Sequence, residues 1–272
     1  MKSAYLRYAL ATACLTMIGA TAGAQMKDNA EKELNCSHRW HNDGSESYCE
    51  MKELSAPVTG HLSVDGGTNG GAAVRGWNRN EILVRAQIQT WAVTDSEAKA
   101  LAGQIRIETA GSRIQATGPR SEGKAGWGVS FEIFVPHRTG VSAKTHNGGV
   151  SLSDLRGEIE FEALNGGVSL KRLAGAVHGR TTNGGLNIEL AGDRWDGDRL
   201  EAATTNGGVH LEVPSDYSAR LETGTVNGEV RVDFPVTVRR EIGRNFATTL
   251  GKGGPTVRVT TTNGGVRISR KS

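Results

Sequence analysis

Four residues near the N-terminus have the types and the closeness to do chemistry: Cys36, His38, His41 and Cys49. Thiolates and imidazoles at short range are zinc ligands, although this spacing matches no common finger pattern. The same two cysteines would instead bridge in an oxidising compartment. The segment upstream bears on that choice. Met1–Ala24 holds Lys2 and Arg7, an apolar run from Tyr8 to Ile18, and small residues ending Ala22-Gly23-Ala24. That order is the anatomy of a secretory signal peptide. Cleavage after Ala24 would leave 272 − 24 = 248 residues, with Cys36 and Cys49 as the remaining pair. Export therefore favours a Cys36–Cys49 disulfide over a metal site. Closing so short a loop stabilises by about 3 kcal/mol on chain-entropy grounds. Cys14 sits inside the apolar run, at a poor spacing for lipid attachment.

Other chemistry-bearing types are scattered. Ser, His and Asp are all present, but no Gly-x-Ser-x-Gly elbow and no His-Glu-x-x-His occurs. Among the seven histidines, His146 and His210 flank Asn-Gly-Gly turns and read as solvent-facing strand residues. Asp193, Asp196 and Asp198 could suggest calcium, yet the loop lacks the glycine and distal glutamate of an EF-hand and contains Arg194. An ordinary loop with Trp195 folded back on a sheet is the expectation. Gly251-Lys252-Gly253 lacks the Ser or Thr of a phosphate loop. Without its first 24 residues the chain has 30 basic and 29 acidic residues, a balance of +1. Nucleic-acid binding needs a clustered basic excess, so it is excluded. No cofactor and no metal are expected.

What must position these residues is a repeat. Asn-Gly-Gly-Val occurs at Asn147-Gly148-Gly149, Asn165-Gly166-Gly167, Asn206-Gly207-Gly208 and Asn263-Gly264-Gly265, each followed by Val. Asn183-Gly184-Gly185-Leu186 and Asn227-Gly228-Glu229-Val230 are near-copies, and Asn69-Gly70-Gly71 lies far upstream. From Asn147 the asparagines step by 18, 18, 23, 21 and 36 residues, the last read as two steps of 18. A period near 20 marks a repeat architecture. Asn-Gly signals a turn because both residues tolerate positive φ. Strict alternation follows each turn, as in Leu186, Ile188 and Leu190, and precedes it, as in Ile159, Phe161 and Ala163. Period two means a strand with one buried face. Two strands and two short turns fill about 18 residues. Hairpins would give a meander or sandwich. Reuse of one turn chemistry favours stacking, each unit on its predecessor, with like residues roughly 4.8 Å apart and amides bonded up and down.

The expected fold is all-β: a flattened, single-stranded β-solenoid over 137–272, behind a less regular β-rich cap over 57–136. The cap carries one short helix, started by the capping-box spacing Thr94-Asp95-Ser96-Glu97. Residues 25–56 read as a leader with the disulfide, and Gln25–Asn35 as its flexible part. The recurrent turn, with Gly76-Trp77-Asn78-Arg79-Asn80-Glu81 leading into Ile82-Leu83-Val84-Arg85-Ala86, resembles the "putative adhesin" β-strand-repeat family, domain of unknown function 4097. The resemblance covers roughly residues 45–270. It implies a bacterial envelope protein, a β-solenoid and no established catalysis.

On that reading the outward residues of successive units, Ser151, Ser169, Asn187, His210, Arg231 and Arg267, align no paired carboxylates. Glu160, Glu162 and Glu189 would have Ser, Lys and Arg neighbours, which suits solubility. The expectation is a monomeric, non-enzymatic surface in the periplasm, with the cell surface or secretion as alternatives, that binds an envelope protein or glycan. The alternatives are a β-helix polysaccharide lyase or hydrolase, which gathers carboxyl groups in a groove, and an envelope-stress scaffold. Only Trp195 and Tyr217 stand near the repeat face as aromatics for stacking on sugars.

Overall fold

A computed structural model describes residues 34–37, 44–235 and 244–271. Residues 1–33, with the expected signal segment and Cys14, and residues 38–43, with His38 and His41, lie outside the described residues. The chain begins its sheets with β1 (Glu46–Ala56), β2 (His61–Asp65), β3 (Ala72–Trp77) and β4 (Ile82–Ala92). Helix α1 (Asp95–Ala102) follows, then β5 (Arg106–Glu108), β6 (Arg113–Thr117) and β7 (Gly126–Pro136). The regular units supply β8 (Gly140–Thr145), β9 (Val150–Ser153), β10 (Arg156–Asn165), β11 (Val168–Lys171), β12 (Ala174–Asn183) and β13 (Leu186–Glu189). The last strands are β14 (Arg199–Asn206), β15 (Val209–Val213), β16 (Ala219–Asn227), β17 (Val230–Val232), β18 (Asn245–Leu250), β19 (Thr256–Asn263) and β20 (Val266–Arg270).

These strands make two ten-stranded sheets. The first runs β1-β4-β7-β3-β9-β11-β13-β15-β20-β17, and the second β18-β16-β19-β14-β12-β10-β8-β2-β6-β5. Each Asn-Gly-Gly turn passes the chain from the second sheet to the first. Between the strands that flank the turns every pairing is parallel and in register: Val168 faces Val150 and Leu186, and Val177 faces Ile159 and Leu200. Like therefore lies on like, and the all-β arrangement fits a β-solenoid. Alternation becomes burial, with Leu152, Leu170, Ile188, Leu211 and Ile268 all at most 1% exposed. Each such side chain stabilises by about 1.5–3 kcal/mol relative to exposure.

The order of stacking departs from the order in sequence at both ends. The Asn69 unit, set apart by its distance, is a member of the stack: β2 pairs in parallel with β8, and β3 with β9. Coil-like pairing thus starts well before residue 137. The interval from Asn227 to Asn263 is not two further coils. β19 lies between β14 and β16, and β20 between β15 and β17, so the last unit in sequence is inserted beneath its predecessor.

Antiparallel strands close three of the four sheet ends, among them β5 on β6, and the fourth is the parallel β17. β4 pairs with β7 and β1, and β18 covers β16. The eleven-residue β1 shows that the leader contributes sheet from Glu46 onward. The α1 capping box forms as expected: Glu97 N–H donates to Thr94 Oγ1 at 3.3 Å and Thr94 N–H to Glu97 Oε2 at 3.1 Å. Ala98 and Ala102 are buried where the helix meets β1 and β4.

Candidate binding face

One corner of the stack is a continuous polar edge made by the repeated turn. The amide of Asn147 donates to Oδ1 of Asn69 at 3.2 Å, Asn165 to Asn147 at 2.9 Å, and Asn183 to Asn165 at 2.8 Å. The row continues with Asn206 to Asn183, Asn263 to Asn206 and Asn227 to Asn263, each at 2.8 Å. Behind it runs a buried row of threonines. Thr181, Thr204, Thr261 and Thr225 each donate to the carbonyl of the first turn glycine one coil below, Gly166, Gly184, Gly207 and Gly264, at 2.7–2.8 Å. Ala163 has no hydroxyl to give Gly148, and Thr145 of the same turn serves that carbonyl instead.

The glycines are there for closeness, not for positive φ. Of the repeat-turn glycines only Gly264 has a positive φ, at 156°. A Cβ on Gly148, Gly166, Gly184, Gly207, Gly264 or Gly228 would lie 2.0–2.2 Å from the carbonyl oxygen of the coil below. No side chain fits there. At the second glycine the nearest atom is further off, 3.4 Å at Gly185 and 3.5 Å at Gly208. That looser place is where Glu229 stands in the Asn227 turn.

A shallow trough of about 680 Å³ lies on the outer face of the second sheet. Two rows of side chains line it, because parallel register stacks every second residue of each strand. The first row runs Ser63, Ser142, Glu160, His178, Glu201, Arg258, Glu222. The second runs Asp65, Lys144, Glu162, Arg180, Ala203, Thr260. Charges alternate in sign and pair along the stack. His178 Nε2 is 3.2 Å from Glu160, Arg180 Nη2 2.9 Å from Glu162, and Lys144 Nζ 3.5 Å from Glu162 on its other side. The Arg180 guanidinium, followed by the charge of Lys144, holds the Glu162 carboxyl below its ordinary range. Arg220 and then Arg258 do the same for Glu222.

A serine, two imidazoles and a carboxylate do meet in this trough. Ser142 Oγ lies 3.0 Å from His61 Nε2 and donates to Glu160 at 3.3 Å, while Glu160 also faces His178. As a carboxylate Glu160 only accepts, so the Ser142 hydroxyl donates to it, and the role of His61 Nε2 toward Oγ follows the tautomer of the imidazole.

The first sheet's outer row is ordered Ser151, Ser169, Asn187, His210, Arg267, Arg231, so His210 adjoins Arg267 and not Arg231. His210 is half-buried and bonded to Ser269 Oγ at 2.9 Å. Glu189 differs from expectation, because its register neighbours are Lys171 and the carboxylate Glu212. Lys271 pairs with Glu189. At the corners, Arg172 grips Asp154 with two bonds of 2.7 Å, and that contact lowers the Asp154 pKa. The two also share a positive φ, 52° and 59°.

The remaining candidates resolve structurally. Cys36 and Cys49 form a disulfide. Asp196 pairs with Arg156 and Asp193 with Arg194. No cluster of metal-ligating side chains exists among the described residues. Trp195 is folded back, 3% exposed, with its indole N–H on Gly175 O at 3.0 Å. Tyr217 is as buried, so neither ring offers a stacking surface. A half-exposed aromatic pair lies instead at the end of β3 and on β7, where Trp77 and Phe134 meet at 5.2 Å beneath Arg75, Arg79 and Arg85. Trp77 and Arg79 share one sequence motif, but Phe134 reaches them only through the pairing of β7 with β3 and β4. No helix among the described residues is long and apolar enough to cross a membrane.

Comparison with known proteins bears on the fold more than on the role. No curated protein matches the chain. A "putative cell adhesion protein" from Clostridium sporogenes is 14% identical, with 83% of this chain and 100% of that chain covered at a TM-score of 0.41. A "putative adhesin" from Bacteroides fragilis is 16% identical, with 82% and 97% covered at 0.39. A "putative lipid binding protein" from Parabacteroides distasonis is 9% identical, with 82% and 97% covered at 0.28. These scores are too low to support a conclusion. The family profile described as Toastrack DUF4097 matches residues 60–269, a span that holds all seven stacked asparagines and both rows of the trough. The chain belongs to that family, domain of unknown function 4097.

Proposed function

We propose that the protein is an exported, non-catalytic scaffold of the bacterial cell envelope, a flattened β-solenoid of two strands per coil of about 18 residues. Its trough presents alternating charges at the sheet spacing, and this one observation carries the reading. An extended polypeptide can set opposite charges and its amides against such a face, whereas Phe161, the aromatic lining the trough, is only 3% exposed and gives a sugar no ring to stack on. An extended segment of an envelope protein is therefore favoured over a glycan. The Cys36–Cys49 disulfide supports an oxidising compartment, and the periplasm is the location proposed.

Pull-down from envelope fractions tests the site. Arg180→Glu with Arg258→Glu should abolish capture that survives glycan-degrading treatment; capture unchanged by the double reversal would sink the trough as the binding face. A fractionation blot should place the protein between the membranes. Assays on uronic-acid polymers should give no turnover, and steady turnover would favour the lyase or hydrolase alternative.

A further inference from the structure

The unit formed by β19 and β20 enters the stack out of order, and the local geometry shows how. After β18, which pairs with β16 on its outer side, the chain crosses the start of β16 and returns on the inner side as β19. The crossing is Gly251-Lys252-Gly253-Gly254-Pro255, and Gly251, Gly253 and Gly254 all have positive φ, at 51°, 78° and 140°. Lys252 N–H donates to Ser218 Oγ at 3.2 Å, and Arg220 N–H to Pro255 O at 3.1 Å. This is the structural role of the glycine-lysine stretch that lacks a phosphate-loop signature. A left-handed conformation at three positions needs glycine.

The arch made by β19 and β20 then fills a slot one strand wide in both sheets. Below it are β14 and β15, above it β16 and β17, and Asn263 bonds to Asn206 on one side and Asn227 on the other. The residues flanking the slot precede the arch in the chain. Until the arch arrives, both sides of the slot carry unpaired strand edges, and such edges pair with any strand of matching pattern.

We propose that this slot is a strand-acceptor site, and that it takes the β19–β20 arch of a second copy of this chain as well as its own. The contacts made by an arch are the same in either case, so cis and trans filling differ only in the crossing loop and the entropy of association. Exchange is therefore governed by concentration and by the loop. A chain shortened at the crossing by removal of Gly253 and Gly254 cannot carry its own arch over Ser218 and should shift to the exchanged dimer.

The test uses full-length chains with cysteines at register partners. Ala203 and Thr260 face each other across β14 and β19 on the outer surface. Ala203→Cys and Thr260→Cys are made in separate chains, refolded together and oxidised; the double variant in one chain reports the cis arrangement. Exchange predicts a covalent dimer holding a 203–260 cystine, identified by peptide mass, whose yield rises with concentration and at least several-fold in the shortened-loop background. A double variant that closes within one chain, beside single variants that give no 203–260 cystine at any concentration, overturns the proposal. Should the double variant not close, native mass spectrometry of co-refolded labelled and unlabelled wild-type chains decides. Mixed dimers that the shortened loop enriches support exchange, and monomers alone overturn it.

Discussion

At the first glycine of each turn, the carbonyl of the coil below occupies the space a methyl would need. Gly184→Ala should therefore destabilise by about 2–3 kcal/mol, the cost of overpacking a site that cannot give. Gly185→Ala, one residue on, has 3.4 Å of clearance and should change stability by no more than about 0.5 kcal/mol. Urea denaturation of the two variants checks the contrast; equal losses would mean that the turn and not the stack selects glycine. Acid should act through the paired carboxyls. Asp154, Glu162 and Glu222 all have folded pKa values lowered by neighbouring arginines. Their contribution is therefore present above the ordinary carboxylate value of about 4 and is lost as pH falls through the depressed folded values. Melting temperature followed from pH 6 to 2 should fall most steeply at the acid end, and Glu222→Gln should lessen that fall.

At the scale of elements, strands and turns were plain in the amino-acid pattern because alternation and burial are local. Leu186 and Ile188 announce β13, and Thr94 with Glu97 announces α1, with no knowledge of neighbours. Pairing order was not legible. Every unit carries the same turn and inward aliphatics, so Asn227 could sit as well on Asn206 as on Asn263. The crossing at Gly251–Pro255 breaks that degeneracy, and in the sequence its Gly251-Lys252-Gly253 shows only the lack of a phosphate-loop signature. The trough was half legible, since Glu160 and Glu162 were recognised as outward while His61 and Ser142 come from strands that sequence distance kept apart. The amide row makes its own prediction. Asn183→Ala removes two side-chain bonds and Asn227→Ala one. At about 0.5 kcal/mol for an exposed amide bond, thermal unfolding should show roughly twice the loss for Asn183.

For the whole molecule, the stack is continuous from β4 and β7 through the inserted arch to β17, so damage at one level reaches the next. The Cys36–Cys49 bridge acts at one end, fixing the leader to β1. Its removal by Cys36→Ser with Cys49→Ser should cost at most about 3 kcal/mol. Hydrogen exchange should place the loosening in β1 and β4, leaving β11 to β15 protected. Loss of protection spread evenly over all coils would mean that the stack unfolds only as one cooperative unit.

The asparagine row has a direction, and the direction is imposed from one end. Asn69 donates its amide to the carbonyl of Trp127 at 3.4 Å, and a carbonyl can only accept. Its own oxygen must then face Asn147, whose oxygen must face Asn165, and so on to Asn227. Reversing any single amide would set donor against donor on one side and oxygen against oxygen on the other. The orientation of seven side chains is thus a message passed hand to hand over about 29 Å, at six steps of roughly 4.8 Å, and one backbone carbonyl at its foot, that of Trp127, decides what is said.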